Sequence, residues 1–543
     1  MRRTARVKLV VGVAALGLAA TACSSDSDSG NSGVPAGYYT ASSTEPQSSL
    51  QPANSNETGG FYPLSMMFRG LYTYDTVTGQ PKAAMAESVE SDDSQNYTVK
   101  IKPGWTFHNG EPVTAKSFVD AWNWGSVSTN KQINASTWFS DIEGYDATHP
   151  AEGDPTSQTM SGLKVVDDTT FTIRLKRPIS SFKARLGYIV YSPLPQAFYA
   201  DPTKFGEQPV GNGPFQLDTA NGGWDHKKSI TVKRYDNYTG EDKAKAAGAR
   251  LVFYTTYDAA YTALRDNKLD VIDQMPTSAL ASFKKDLGAR AIVAPQMAIQ
   301  KIAFPLYDPA WSAPGKDKVR QGLSMAIDRE AITKAIYQGE EKPATDWLAP
   351  GVLGHSDVAR PITTYDPEKA RALIAEGGGV PGGKFTIAYN NDGPHKTWVD
   401  AVCNSINQAL NGQVCEGKAY PEFGVFRDDV TNKKMTGGFR TGWKADYPFA
   451  DNFLNDIYRT GGSSNDSGYS SKEWDTIADR AQAAPTPQEG EALWKQAQQL
   501  MDTDVPSIPL WYYVTKAGYS EKVSNVKVDP YGNPVFTEVT VNQ

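Results

Sequence analysis

The sequence predicts a mixed α and β fold divided among more than one domain, and three observations carry that prediction. Tyr97-Thr98-Val99-Lys100-Ile101, Thr170-Phe171-Thr172-Ile173-Arg174-Leu175 and Ile230-Thr231-Val232-Lys233 alternate apolar and polar residues with the period of a half-buried strand. Helix signals stand between such runs: Thr114 is placed to cap a helix over 115–124, and Asp366-Pro367-Glu368 opens one reaching Ile374, with proline at its first position. Finally, the roughly 510 residues that follow a polar N-terminal stretch exceed what one hydrophobic core organises. Neither an internal repeat nor a long linker breaks them up, so the domains are expected to interleave through short crossovers.

Arg2, Arg3, Arg6 and Lys8 form a basic head, and residues 9–20 are apolar apart from glycines. That run is shorter than the roughly 20 residues a bilayer span needs, so residues 1–22 are expected to be a cleaved secretory signal. Small residues (Ala20, Thr21, Ala22) lead into Cys23, and the serine-, aspartate- and glycine-rich stretch after it cannot bury itself, so residues 23–36 read as a flexible tether. The pattern resembles the bacterial lipobox, with Ala20 standing where leucine is usual and Leu18 two positions earlier. The resemblance implies that Cys23 becomes the lipidated N-terminus, and two acyl chains hold a protein stably at a membrane. An incidental cysteine beside an ordinary cleavage site is the alternative.

The chain carries 54 Lys+Arg against 61 Asp+Glu, a net charge of −7, and loss of the four basic residues of the signal deepens this to −11. A surface that acidic argues against nucleic-acid partners. With Cys23 assigned to lipid, Cys403 and Cys415 remain, one late in an amphipathic helix and the other just past its Asn411-Gly412 stop. Outside the cell such a pair is expected to be bridged, with two buried thiols as the alternative. The five histidines are scattered singly, so no metal site and no cofactor is expected.

Residues 97–124 read as a strand, a Pro103-Gly104 turn, a second short strand, an Asn109-Gly110 turn and a capped helix. This block is similar to the signature of the family 5 solute-binding proteins of ABC importers. Further stretches resemble the family's in its own order: Leu71-Tyr72-Thr73-Tyr74-Asp75; Pro209-Val210-Gly211-Asn212-Gly213-Pro214-Phe215; Lys233-Arg234-Tyr235-Asp236-Asn237-Tyr238; Val319-Arg320-Gln321-Gly322-Leu323-Ser324-Met325-Ala326-Ile327-Asp328-Arg329-Glu330; and Tyr365-Asp366-Pro367-Glu368-Lys369-Ala370. Asn212 and Phe215 depart from the family pattern. Gly211-Asn212-Gly213 lacks the third glycine and following helix of a phosphate loop and reads as a strand-linking turn. Arg320, Asp328 and Arg329 read as a charge network on a helix surface.

The resemblance implies a two-lobed binding-protein fold of type II with an extra N-terminal subdomain and a ligand cleft between the lobes. Lobe I is expected over 37–82, 197–298 and 512–543, the extra subdomain over 83–196, and lobe II over 299–511. Apolar crossover strands are expected near 298–303 and 508–514. In oligopeptide-binding relatives the aspartate of a Trp-x-Ala-Asp-Tyr motif receives the peptide's α-ammonium. Trp443-Lys444-Ala445-Asp446-Tyr447 matches that motif, which implies Asp446 as the ammonium anchor. Arg440, three residues before Trp443, matches an arginine that meets the ligand carboxylate in some relatives. The backbone at Gly442 and Lys444 is expected to pair with the ligand, and Trp443 to wall the pocket, with a core tryptophan as the alternative. The Trp511-Tyr512-Tyr513 cluster, Tyr512 among it, either lines the cleft or packs in the aromatic core. A buried carboxylate suits an ammonium, a guanidinium suits a carboxylate, and main-chain pairing reads no side chains. On the bare sequence, an internal Arg440–Asp446 ion pair competes with these roles.

The implied function is an extracytoplasmic, lipid-anchored monomer that captures oligopeptides and delivers them to ABC transporter permease subunits. Alternatives keep the fold and change the solute to an oligosaccharide, a metal chelate or a signalling peptide. A surface hydrolase is a weaker alternative: the chain has no Gly-x-Ser-x-Gly elbow, metal cluster or paired Cys and His, so it is not expected to be an enzyme.

Overall fold

The computed structural model describes residues 33–462 and 464–542. Cys23, the signal-like segment and the tether as far as residue 32 lie outside the described residues. No helix among the described residues is long and apolar enough to cross a membrane.

One large mixed sheet runs through the molecule. Ten strands form its main path: β1 (Tyr38–Ser43), β2 (Phe215–Leu217), β3 (Ser229–Arg234), β4 (Gly248–Phe253), β5 (Val271–Ile272), β6 (Ala291–Ala303), β7 (Phe385–Asn390), β8 (Cys415–Tyr420), β9 (Gly438–Lys444) and β10 (Ser507–Tyr519). They pair in the order β8-β7-β9-β6-β10-β5-β1-β4-β3-β2. The two 13-residue strands, β6 and β10, join the halves of this order. At one end β10 pairs with β5 through Val271–Tyr519 and Ile272–Gly518, and at the other β6 pairs with β9 from Ala298 to Ala303.

The expected crossover segments, 298–303 and 508–514, prove to be parts of longer strands, Ala291–Ala303 and Ser507–Tyr519. The register between β6 and β10 breaks between Pro295 and Ile299. Pro295 has no N–H to give a ladder, so a break in pairing falls naturally beside it.

Each half has its own core. The first collects Tyr39, Leu64, Trp122, Phe171, Phe215 and Leu251, and the second Ile299, Trp311, Phe385, Trp398, Trp474 and Leu510. A separate four-stranded antiparallel sheet packs into the first core, with Asn96–Ile101 at its centre alternating exposed and buried residues. The helix predicted after Thr114 spans Ala115–Ser126, and the Thr114 N–H bonds to Ser117 Oγ in a capping box. The second short strand of this block reduces to a single bridge, Thr106 with Pro112. Two aromatic residues cross between the halves: Tyr447 and Phe449, late in the sequence, pack in the first core.

Gly211-Asn212-Gly213 is a packing crossing. A β-carbon on Gly213 would lie 2.6 Å from the Met67 carbonyl carbon, and Asn212, fully buried, bonds to both the N–H and the carbonyl of Arg69. Arg320 and Arg329 also depart from the surface network expected of them. Both are buried, and their guanidinium groups donate to main-chain carbonyls of distant segments, Arg320 to Asp504 and Val505 and Arg329 to Pro509 and Thr363. Burial pushes Arg329 down to about 9. Asp328 instead caps the next helix at the Ala331 N–H. Cys403 and Cys415 form a disulfide that ties the helix Lys396–Ala409 to the start of β8.

Candidate functional site

A cleft of about 600 Å³ lies where β9 leaves lobe II and meets lobe I. Lobe II contributes residues 444–446; the remaining walls come from segments 56–76, 187–192 and 529–538 and from Lys82, Glu241 and Asp242.

The strand leading to Asp446 has an unused edge, and this follows from its pairing. The Ala445 N–H donates to the Met297 carbonyl at 2.9 Å, which makes 297 and 445 a hydrogen-bonded pair of the antiparallel β6–β9 ladder. Bonded and non-bonded pairs alternate in such a ladder, so Trp443, Thr441 and Phe439 spend their main-chain groups on β6. The N–H and carbonyl groups of Arg440, Gly442 and Lys444 point the other way. On that side β7 pairs only with Gly438 and Phe439. Beyond this β7 pairing, from Gly442 to Lys444, β9 therefore presents an edge with no partner strand among the described residues. Gly442 is needed there: a β-carbon would stand 2.9 Å from the Ile299 carbonyl, and the Tyr513 ring lies only 3.8 Å away.

Asp446 sits just past this edge, half-buried. Its N–H donates to Asn452 Oδ1 and its Oδ2 accepts from Asn452 Nδ2, both at 2.9 Å. Asn452 belongs to the first turn of the helix Ala450–Tyr458 and is 1% exposed, so this two-bond clasp fixes the carboxylate in one orientation. Oδ1 of Asp446 accepts no hydrogen bond, and no lysine or arginine forms an ion pair with the group, among the described residues. Burial pushes its pKa up to about 6, against the opposing pull of Asn452 and of the Lys444 and Arg185 charges. The internal Arg440–Asp446 pair that the bare sequence allowed does not form.

Tyrosines from three other segments close over the carboxylate. Tyr74, Tyr188 and Tyr531 line the cleft with Phe61. Tyr74 donates to the Ala184 carbonyl at 3.0 Å, Tyr531 to the Gly79 carbonyl at 2.7 Å, and Tyr188 stacks on Trp138 with ring centres 4.0 Å apart. Lys444 reaches across the cleft and donates to Asn533 Oδ1 at 3.0 Å. Behind Asp446 a buried cluster clasps the two halves: Asp451 accepts from Ser181 Oγ at 2.5 Å, from Tyr447 at 2.9 Å and from Arg185 at 3.2 Å.

The predicted site residues thus divide. Asp446 and Lys444 face the cleft, and Gly442 holds the open edge. Arg440 lies farther along the same edge, outside the cleft lining. Its Nε donates to Asn390 at 2.8 Å, and its guanidinium stands 5.0 Å from the ring centres of both Phe423 and Phe426.

Two of the predicted residues lie outside the cleft lining. Trp443 packs, partly buried, against the second core and donates to Asn452 Oδ1 at 3.2 Å. Tyr512 is not at the cleft; it is buried in the lobe II core with its hydroxyl bonded by the Thr345 and Asp346 N–H groups. Tyr513, one residue on, is the ring beside Gly442. Sequence reasoning missed Asn452, Tyr188, Asp529 and Asn533 altogether. The Tyr74 block was visible as a pattern, but nothing in it signalled a place at the cleft.

Comparison with known proteins agrees with this architecture. The family model for bacterial extracellular solute-binding proteins, family 5, matches residues 80–465. The oligopeptide-binding protein OppA of Bacillus subtilis is 26% identical over 514 residues, which cover 91% of this chain and 90% of that protein. The dipeptide-binding protein of Escherichia coli is 27% identical over 504 residues, covering 88% and 89%. Among solved structures, Haemophilus influenzae OppA in complex with RPPGFSPFR superposes with a TM-score of 0.74 at 21% identity, over 93% of this chain and 99% of that one. The murein tripeptide-binding protein MppA of Escherichia coli gives 0.76 at 20% identity, over 93% and 98%. These likenesses show the two-lobed type II binding-protein fold. The chain belongs to the family 5 bacterial extracellular solute-binding proteins, a family of binding proteins and not of enzymes.

Proposed function

We propose that this protein captures oligopeptides between its lobes and passes them to the permease of an ABC importer. The observation that carries the reading is the pairing of two unused features, a carboxylate oxygen of Asp446 without a partner and, leading up to it, the open edge of β9. A peptide supplies the complement of both: an α-ammonium for Asp446 and a row of amides for the main-chain groups of Gly442 and Lys444. Relatives named for oligopeptide and dipeptide binding support the same solute class. Arg440, farther along the edge, is suited to the carboxylate of a longer ligand.

In this reading residues 1–22 are removed on export. Cys23 carries the lipid anchor, and the following tether holds a monomeric binding protein beside its permease, where local concentration favours transfer. The expected lobe and subdomain boundaries are retained as part of the proposal.

The direct test is isothermal titration of the ligand-stripped full chain with a short peptide and with its N-acetylated form. Binding of the free peptide and loss of binding on acetylation are expected. Equal affinity for the two sinks the role of Asp446, and no binding of any peptide sinks the function.

A further inference from the structure

The clasp on Asp446 is braced from the other half of the molecule. Arg185 ends the short helix Phe182–Arg185, whose Phe182 and Ala184 are buried in the first core. Its Nη1 pairs with Asp141 of the same half at 2.9 Å, and its Nη2 with Asp451 at 3.2 Å. Asp451 lies in the first turn of the helix Ala450–Tyr458, whose Ala450, Phe453 and Leu454 belong to the second core. This pair across the halves is nearly dry, with the Arg185 side chain 5% and the Asp451 side chain 3% exposed. From it the charges alternate outward to the surface. Asp141 pairs with Arg177 at 3.3 Å, Arg177 with Asp479 of the second half at 3.7 Å, and Asp479 with Arg459 at 2.6 Å. Beside them the Ser180 N–H donates to the Gln482 carbonyl at 2.9 Å, a main-chain link between the same two halves. Both members of the clasp have a chain neighbour in this cluster: Tyr447 follows Asp446, and Asp451 precedes Asn452. Ser181, Tyr447 and Arg185 all donate to one oxygen of Asp451, Oδ2, and the guanidinium stands 5.4 Å from the centre of the Tyr447 ring.

Resting on the peptide reading above, we propose that Arg185 is a positioning residue for the ligand's amino terminus: held by Asp141, it fixes Asp451 and Tyr447 and, through them, the Asn452 clasp on Asp446. Arg185 is not part of the cleft lining, so its effect on a ligand passes through these neighbours. Its bond to Asp141 orients the guanidinium within its own half, so the fork is already aimed when Asp451 arrives. A guanidinium serves two carboxylates in fixed directions, which a point charge on a flexible stem does not. Without it, Asp141 and Asp451 are left buried and unpaired by this cation, and the first turn of the Asn452 helix loses its anchor. The brace crosses from one half to the other. The socket is therefore complete only when the halves meet, which couples closure to recognition of the amino terminus.

The test is a double-mutant cycle of Arg185→Met and Asn452→Ala, read by calorimetry of the ligand-stripped full chain with Ala-Ala-Ala, with melting curves to establish folding. Each single variant is expected to weaken binding about tenfold or more. In the double variant the loss should be no greater than in Asn452→Ala alone, because both changes undo one clasp. Arg185→Lys keeps a cation in place and should bind more tightly than Arg185→Met. If Arg185→Met does not fold, Asp451→Asn, which keeps the volume of the side chain, replaces it in the cycle with the same expectation. Losses that add in the double variant make Arg185 a structural ion pair and overturn the inference. Unchanged affinity in either single variant overturns it too, and equal binding by Arg185→Lys and Arg185→Met overturns the electrostatic brace. All three outcomes leave peptide capture standing. If the unmodified protein binds no peptide, the underlying reading fails as well.

Discussion

The two ends of the open edge of β9 are built differently. At the Asp446 end the carboxylate is clasped by Asn452, enclosed by three tyrosines and left with a free oxygen. At the Arg440 end the guanidinium is already hydrogen-bonded to Asn390 and flanked by two phenylalanines, of which Phe423 remains 46% exposed. One end is a fixed socket with an unmet electrostatic demand, and the other is a cation at rest on an open wall. On the proposed reading, the contrast teaches how such a cleft would accept peptides of several lengths: the amino terminus would be registered once, and the carboxyl end would take whatever cation it reaches.

The largest test of this asymmetry is Asp446→Ala. Loss of a buried partner for an ammonium costs about 3 kcal/mol, so titration should show affinity falling by roughly two orders of magnitude for peptides of every length. A length-dependent loss would move the registering role elsewhere. Next comes Gly442→Ala, whose β-carbon would press on the Ile299 carbonyl. Overpacking of this kind costs about 1–3 kcal/mol, and both the melting temperature and the affinity for all peptides should drop. An unchanged affinity would mean that the edge does not pair with ligand.

A third test uses pH. Asp446 in the empty cleft titrates at about 6, and a bound ammonium pulls its pKa below that. Protonation therefore competes with ligand: affinity should be flat above pH 7 and fall about tenfold between pH 7 and 5. Stability of the empty protein should respond with the opposite sign. The folded pKa lies above the unfolded one, so the folded state binds the extra proton between pH 4 and 6, and stability gains as pH falls through that window. Thermal melts of the stripped protein, set beside titrations at each pH, check both signs. Parallel trends in stability and affinity would remove Asp446 as the controlling group.

Much of the fold is legible in local sequence, because caps and alternation are local. Thr114 and Ser117 form their box as read, and Asp366 caps the Lys369 N–H of the helix that Pro367 opens. Asp446 was legible for a different reason, the five-residue motif around it. What escaped depends on partners far along the chain. Tyr512 and Tyr513 differ by one residue, and only the pairing of β10 with β6 decides which of them stands beside Gly442. The face that Trp443 takes depends on the same kind of phase. Arg320 and Arg329 look like surface charges within their own helices; their carbonyl partners lie about 180 residues later. Asn452 and Asp529 carry no signal of their own, since an isolated polar residue becomes a clasp on Asp446 or a lining carboxylate of the cleft only once the chain is folded.

The finest discrimination concerns Arg440. At about 3.3 Å per residue, the strand from 440 to 446 spans roughly 20 Å, so a peptide registered at Asp446 and running along the edge reaches the guanidinium only after about four to six residues. Arg440→Ala should then weaken peptides of that length by about threefold, the modest loss expected for a partly exposed charge pair, and leave dipeptides almost untouched. Amidation of the peptide's C-terminus should reproduce the loss in the unmodified protein and add nothing in Arg440→Ala. That non-additivity separates direct contact from support, since Arg440 also braces Asn390 and the helix Phe423–Thr431. A uniform loss across all lengths, with amidation still additive, would make Arg440 a brace for the open edge and leave Asp446 as the only charge on it that the ligand meets.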